Sequence, residues 1–258
     1  YLENSWIPSA MTGNKPVYIL ARTLKSIDTA WPGTRLALTE YNYGGENHWS
    51  GALAQADVLG VFGKLDLEAT NLHTTFSGHI EAAFRLYRNF DGKGNGFGDT
   101  YVAAESPDNA VFSTYASLDS KNPKLLHVIA INKSSAAKSV TIALSGKNWQ
   151  SAVAYGFSTD SVITKLAAPT GVTASGFDYT LPATSATHFV VSTDAQVALP
   201  SPDLVALNVE VVGQGLVSRS IRTALVPRGT VIKLTATPAE GWIFGGWSKD
   251  GSGKDTAL

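Results

Sequence analysis

Apolar positions in the first hundred residues recur with a helical period, broken by short apolar runs of strand length. Val17, Leu20, Leu24, Ile27 and Trp31 fall on one helical face. Asn14 stands in a capping position and Pro16 where a first helical turn tolerates it. Pro32-Gly33 stops this helix. Arg35 to Tyr41 is β-compatible, and a second helix carries the stripe Leu53, Ala56, Leu59 and Phe62. A short strand is expected over about 67–72. Ser77 is placed to cap a third helix with Ile80, Ala83, Phe84 and Tyr87, which Asp91-Gly92 ends. Helix, strand, helix, strand, helix is the rhythm of a parallel α/β sheet or barrel.

From residue 99 the period shortens to two. Runs at 110–118, 125–132, 139–144, 152–157 and 188–192 alternate between turn residues, which predicts an antiparallel β-sandwich. Pro200-Ser201-Pro202-Asp203 reads as a linker. Beyond it Leu207, Val209 and Val211 alternate, as do Ile232, Leu234 and Ala236, before an aromatic run from Gly241 to Ser248. The fold class is α/β plus all-β: a barrel portion (1–98), a β-sandwich (99–192), a linker (193–203) and a small β module (204–258).

Composition narrows the partners. A formal net charge of -1 with scattered basic residues offers no phosphate-binding face, which argues against nucleic acid. There is no cysteine, hence no disulfide or thiolate chemistry, and no apolar run reaches the ~18 residues of a membrane span. No signal peptide is visible; the opening at Tyr1 and the ending at Leu258 both read as cuts. His48, His73, His79, His127 and His188 lack metal-ligand spacing, so neither metal nor cofactor is expected. His127 and His188 fall in sandwich strands and read as structural. The stretch Asp91 to Asp99 fails as a P-loop, because it leaves a helix and no Lys-Ser/Thr follows. It fails as a calcium loop, with Lys93 at the third position and Val102 at the twelfth. A tight glycine-rich turn is the better reading.

The chemistry concentrates in Leu38-Thr39-Glu40-Tyr41-Asn42. On a regular strand Leu36, Leu38 and Glu40 share one face, two core residues followed by a carboxylate at the strand's end. Barrel enzymes carry their reacting groups at that end. Behind Glu40 lies a loop from Asn42 to Trp49 with Tyr43, Glu46, Asn47 and His48, whose amides, acids and rings suit hydroxyl-rich ligands. The plainer alternatives are an edge carboxylate for Glu40, helix capping for Glu46, Asn47 and His48, and packing for Trp49.

Trp31-Pro32-Gly33-Thr34 through Asn47-His48, Gly60-Val61-Phe62-Gly63, Ile80 to Asn89 and Phe97-Gly98-Asp99-Thr100 together resemble glycoside hydrolase family 44. The similarity is densest over 31–104 and continues more loosely to about 192. The resemblance implies the C-terminal part of a TIM-like barrel with an attached β-sandwich, and retaining hydrolysis of β-1,4-glucans such as xyloglucan or soluble cellulose derivatives. It implies that the Glu before Tyr-Asn, here Glu40, is the nucleophile; Tyr41, Asn42, Tyr43, Glu46 and Asn47, which follow it, are then the candidates for contact with the sugar. It implies a sugar-stacking role for Trp6. The family's acid/base sits in an upstream Asn-Glu-Pro motif that this sequence lacks, so the chain by itself is expected to be inactive. Where the family usually has Trp-Pro after the next strand, this chain reads His73-Thr74-Thr75-Phe76, and His73 and Phe76 take that place beside the substrate. The last module resembles repeats of secreted and cell-surface bacterial proteins. A secreted, monomeric part of a glucanase is the first expectation; a non-catalytic glycan-binding or adhesion protein with a degenerate barrel is the second.

Overall fold

The computed structural model describes residues 18–200 apart from 75 and 77, and residues 204–256 apart from 222, 224, 250 and 255. Asn14, Pro16, Val17, Ser77 and Trp6 lie outside these residues. The chain divides into two compact units, Tyr1–Leu199 and Pro200–Leu258.

The first unit begins with helix α1 (Ile19–Ala30), strand β1 (Ala37–Tyr41), helix α2 (Trp49–Lys64), strand β2 (Ala69–Leu72) and helix α3 (Gly78–Arg88). β1 and β2 are parallel neighbours, as expected of strands joined through a helix. Tyr18 is the N-cap of α1, and among the described residues of the predicted stripe only Leu20 is buried. Trp31 is 72% exposed and closes the helix instead, its amide donating to the Ile27 carbonyl. α2 is apolar on two sides. Val58 and Phe62 pack with Leu20, with Leu36 just before β1, and with Leu38 and Tyr41 of β1, whereas Ala52, Leu53, Ala56 and Val61 face α3 and the sheet beyond.

A six-stranded sheet follows, ordered β3 (Thr100–Val102), β4 (Phe112–Asp119), β5 (Asn122–Asn132), β10 (Ser185–Ser192), β7 (Ser151–Phe157) and β8 (Thr164–Lys165). β6 (Lys138–Ala143) and β9 (Gly176–Leu181) form a second, two-stranded sheet. Leu126, Val128, Phe189 and Val191 point to that small sheet, with Phe177 and Leu181 opposite. Ile129, Ile131, Ala186 and Tyr115 point the other way, into one core with Ala52, Leu86 and Tyr87. The helix pair and the sandwich sheet are therefore two layers over a shared core. All eight residues of β10 are buried because both its faces are covered.

Polar groups stitch this interface as well. Asp57 on α2 accepts from the Tyr115 hydroxyl at 2.5 Å and pairs with Lys133 Nζ at 2.8 Å. Burial, then the Asp57 charge, drives the Tyr115 phenol far above its ordinary range. The Tyr87 hydroxyl donates to the Ala56 carbonyl at 2.9 Å.

The second unit pairs β11 (Leu204–Ala206) with β13 (Leu225–Pro227), and β12 (Gly215–Arg219) with β14 (Leu234–Pro238). The alternating residues Leu207, Val209 and Val211 do not form the strand their pattern suggests; the ladder ends at Ala206. Val226 and Leu234 are its buried apolar side chains among the described residues, and Trp242 stays half-exposed.

Candidate active site

Glu40 owes its position to an irregularity in β1. Leu38 pairs with Thr70 and Tyr41 with Leu72, so three steps on β1 match two on β2. The extra residue changes which side chains share a face. Leu36, Leu38 and then Tyr41 turn into the helix layer, and Glu40 leaves it. The period-two expectation that Glu40 shares a face with Leu36 and Leu38 is thus corrected: the leucines pack on helices, and the slip releases the carboxylate at the strand's end. Glu40 is 71% exposed there, and its Oε2 lies 3.7 Å from Nδ1 of His73, 76% exposed at the end of β2. That separation is an ion-pair distance when the imidazole is charged and too long for a hydrogen bond.

The two strand ends are tied by backbone and amide contacts. The His73 amide donates to the Tyr41 carbonyl at 2.9 Å, and Asn42 Nδ2 donates to the His73 carbonyl at 3.0 Å. Asn42 also donates to Glu46 Oε1 at 3.2 Å and accepts from the Gly44 amide at 2.6 Å, which folds the loop back on itself. The Thr74 hydroxyl donates to the same Glu46 oxygen. These bonds, Thr74 foremost, then the residue's own backbone and Asn42, hold the Glu46 carboxyl below its ordinary range.

Tyr41 faces away from Glu40. Its hydroxyl accepts from Gln55 Nε2 at 2.8 Å, its ring meets Phe62 edge-on at 5.0 Å, and burial raises its ionisation above the phenol value. Tyr43 lies against Tyr41, centroids 5.9 Å apart, with nearly half its surface open. Asn47 is exposed. His48 caps α2, its ring nitrogen accepting from the Ser50 amide at 3.2 Å. Trp49 is partly buried against the core shared with the sheet. Phe76 is 56% exposed and rests on Phe84 of α3, centroids 5.3 Å apart. The structure thus gathers Glu40, Asn42, Glu46 and His73 around the joined strand ends, lays Tyr43 on Tyr41, and sends Tyr41 into the packing. Sequence reasoning missed Thr74 and Gln55. Gln55 carried a signal, as one of two polar residues, with Asp57, in the apolar middle of α2; Thr74 carried none.

Similar proteins are found among glycoside hydrolases. Endoglucanase A of Paenibacillus lautus is 41% identical over 200 residues, 76% of this chain and 28% of its own length. A Paenibacillus polymyxa xyloglucanase from glycoside hydrolase family 44 is 40% identical and superposes with a TM-score of 0.68, over 75% of this chain and 39% of that one. A family 44 endoglucanase from Clostridium thermocellum is 39% identical with a TM-score of 0.68, over 74% and 38% of the two chains. Most of this chain is homologous to glycoside hydrolase family 44. The chain spans about a third of the length of the family 44 relatives it matches. Residues 205–258 separately match the divergent InlB B-repeat domain, so the family 44 region is followed by a module of repeat type. Among the described residues no helix is long and apolar enough to cross a membrane.

Proposed function

We propose that this chain carries the nucleophile-bearing, C-terminal part of a secreted, retaining family 44 glycoside hydrolase that cleaves internal β-1,4-glucosidic bonds of xyloglucan or cellulose-type glucans. The observation that carries the reading is Glu40 itself. It is released from the packed face of β1 at the strand's carboxyl end, in a segment homologous to endoglucanases and xyloglucanases.

Glu40 attacks the anomeric carbon and forms a glycosyl ester as the aglycone departs. A carboxylic acid on a part of the polypeptide not represented in this chain protonates the departing oxygen, then activates the water that releases the sugar. Retention requires the two carboxyl groups ~5–5.5 Å apart. Asn42 and Glu46 brace the loop behind the nucleophile, and His73, Tyr43, Asn47 and Phe76 border the sugar. Trp6 is the further stacking residue. The chain works as a monomer on a polysaccharide and needs no cofactor.

The test is expression of the coding region extended upstream, with Glu40 and with Glu40→Gln, assayed on xyloglucan and carboxymethylcellulose. Activity lost in the variant with folding retained, and rescued by azide in Glu40→Gly, supports the assignment. Equal activity in both proteins means that another carboxylate is the nucleophile. An inactive parent that still binds glucan means a glycan-binding protein. The 258-residue chain alone is expected to show no turnover.

A further inference from the structure

His127 on β5 and His188 on β10 lie side by side in the middle of the six-stranded sheet, 2% and 0% exposed. His127 Nδ1 is 2.9 Å from His188 Nε2, and His188 Nδ1 is 2.9 Å from the Leu86 carbonyl of α3. A carbonyl can only accept, so His188 Nδ1 carries a hydrogen. Its Nε2 is then a lone pair, and His127 Nδ1 must donate to it. The remaining nitrogen, His127 Nε2, is a buried lone pair without a partner. Both rings are neutral in this arrangement, and the chain of bonds has one direction.

The pair anchors the exit of α3. Phe90 lies 4.2 Å from His188, centroid to centroid, and Phe97 5.7 Å from it. The turn between the two phenylalanines closes on itself through Asp91, which accepts from the Lys93 amide and from Asn95 Nδ2. Charged groups near the pair are few. Asp119 of β4 acts on His127 and His127 on His188; Asp91 acts on Tyr155 of β7, and Asp57 is occupied by Tyr115 and Lys133. A new proton has one open nitrogen to bind, His127 Nε2, where it makes a buried cation and a donor with no acceptor. Desolvation accordingly lowers His127 to about 4 and His188 well below 6.5.

We propose that the His127–His188 pair is an acid-release latch: neutral, it ties the end of α3 and the 89–98 turn to the sheet; protonated, it lets them go. The movement is transmitted toward the strand ends, because α3 begins beside Phe76, whose ring rests on Phe84. The sign follows from the lowered values. The latch holds in full above the ordinary histidine value of 6.5 and weakens as pH falls from there to about 4.

Hydrogen exchange of the 258-residue chain between pH 7.5 and 4.5, corrected for intrinsic rates, tests this. Protection over 84–98 should drop at least tenfold at pH 4.5, while β6 and β9, on the far face of the sandwich, keep theirs. His127→Gln retains a donor to His188 without the titrating ring, so it should hold protection over 84–98 to lower pH than the parent. Three results would each overturn the latch: unchanged protection over 84–98 at pH 4.5, simultaneous loss in every segment, or the same acid profile in parent and variant. If His127→Gln fails to fold at pH 7.5, the comparison of segments in the parent decides alone.

Discussion

Gly60 of α2 presents a bare α-carbon to the ring of Tyr115 on β4: a β-carbon there would lie 2.3 Å from two ring carbons. The ring cannot retreat freely, because its hydroxyl is held by Asp57 one turn earlier on the same helix. Gly60→Ala should gain ~1 kcal/mol of helix propensity and lose more to overpacking. We expect a net loss of about 2 kcal/mol. For a unit of this size the melting temperature should fall by roughly 4–8 °C. Thermal unfolding monitored by circular dichroism checks this, and a more stable variant would contradict the close approach.

The Asp57–Lys133 pair bridges α2 and the end of β5 with little solvent around the carboxylate. Asp57→Ala takes the acceptor from the Tyr115 hydroxyl and leaves the Lys133 ammonium without a counter-charge, held only by the Asn109 carbonyl at 2.7 Å. The expected cost is about 3 kcal/mol, the low end for a broken buried pair because Lys133 keeps some solvent contact. Asp57→Asn retains an acceptor for Tyr115 and should cost less. Urea unfolding at constant m-value separates the two.

Gly51, in the first turn of α2, lies against the Gly45 carbonyl; a β-carbon would sit 2.1 Å from that oxygen. Gly51→Ala must push the 42–48 loop away from the helix. The amide resonances of Asn42 and Glu46 should shift while those of β10 do not, as nitrogen-proton correlation spectra would show. In an upstream-extended, active protein the same change should lower kcat/KM about tenfold or more, since misplacement of this order costs up to ~100-fold.

Thr74→Val removes the strongest of the hydrogen bonds that hold the Glu46 carboxyl below its ordinary range. Its titration midpoint should rise toward the usual carboxylate value. The charged form of Glu46 then contributes less to stability above that value, and the contribution disappears at higher pH than in the parent. Carbon NMR of the Glu46 side chain across pH 2.5–7 reads the midpoint directly; an unmoved midpoint would mean that Thr74 is not the controlling partner.

Much of this fold could be read from periodicity, and the failures have physical causes. β4, β5, β7 and β10 stood out because side chains alternate between two covered faces. β3, β8 and β9 escaped notice: the first two are three and two residues long, and β9 opens on Gly176 and carries Asp178 and Thr180 outward. Trp31 looked like the last residue of a stripe because spacing cannot tell a buried apolar residue from one that ends a helix in solvent. At the site the segment was legible but the facing was not. A one-residue slip reverses every inside–outside assignment after it, and nothing in Leu38-Thr39-Glu40-Tyr41 announces the slip. The register becomes visible only once Tyr41 is seen bonded to Gln55.

The core that Ile129, Ile131 and Ala186 share with Ala52, Leu86 and Tyr87 also bears on how such proteins can be assembled by evolution or at the bench. A genetic crossover near residue 98 would part those side chains and leave each half with an open apolar face, so the helices and the sandwich are inherited together or not at all. A crossover near residue 200, at the boundary of the two compact units, leaves that core whole. The smallest inheritable piece that keeps this core is thus the helices together with the sandwich.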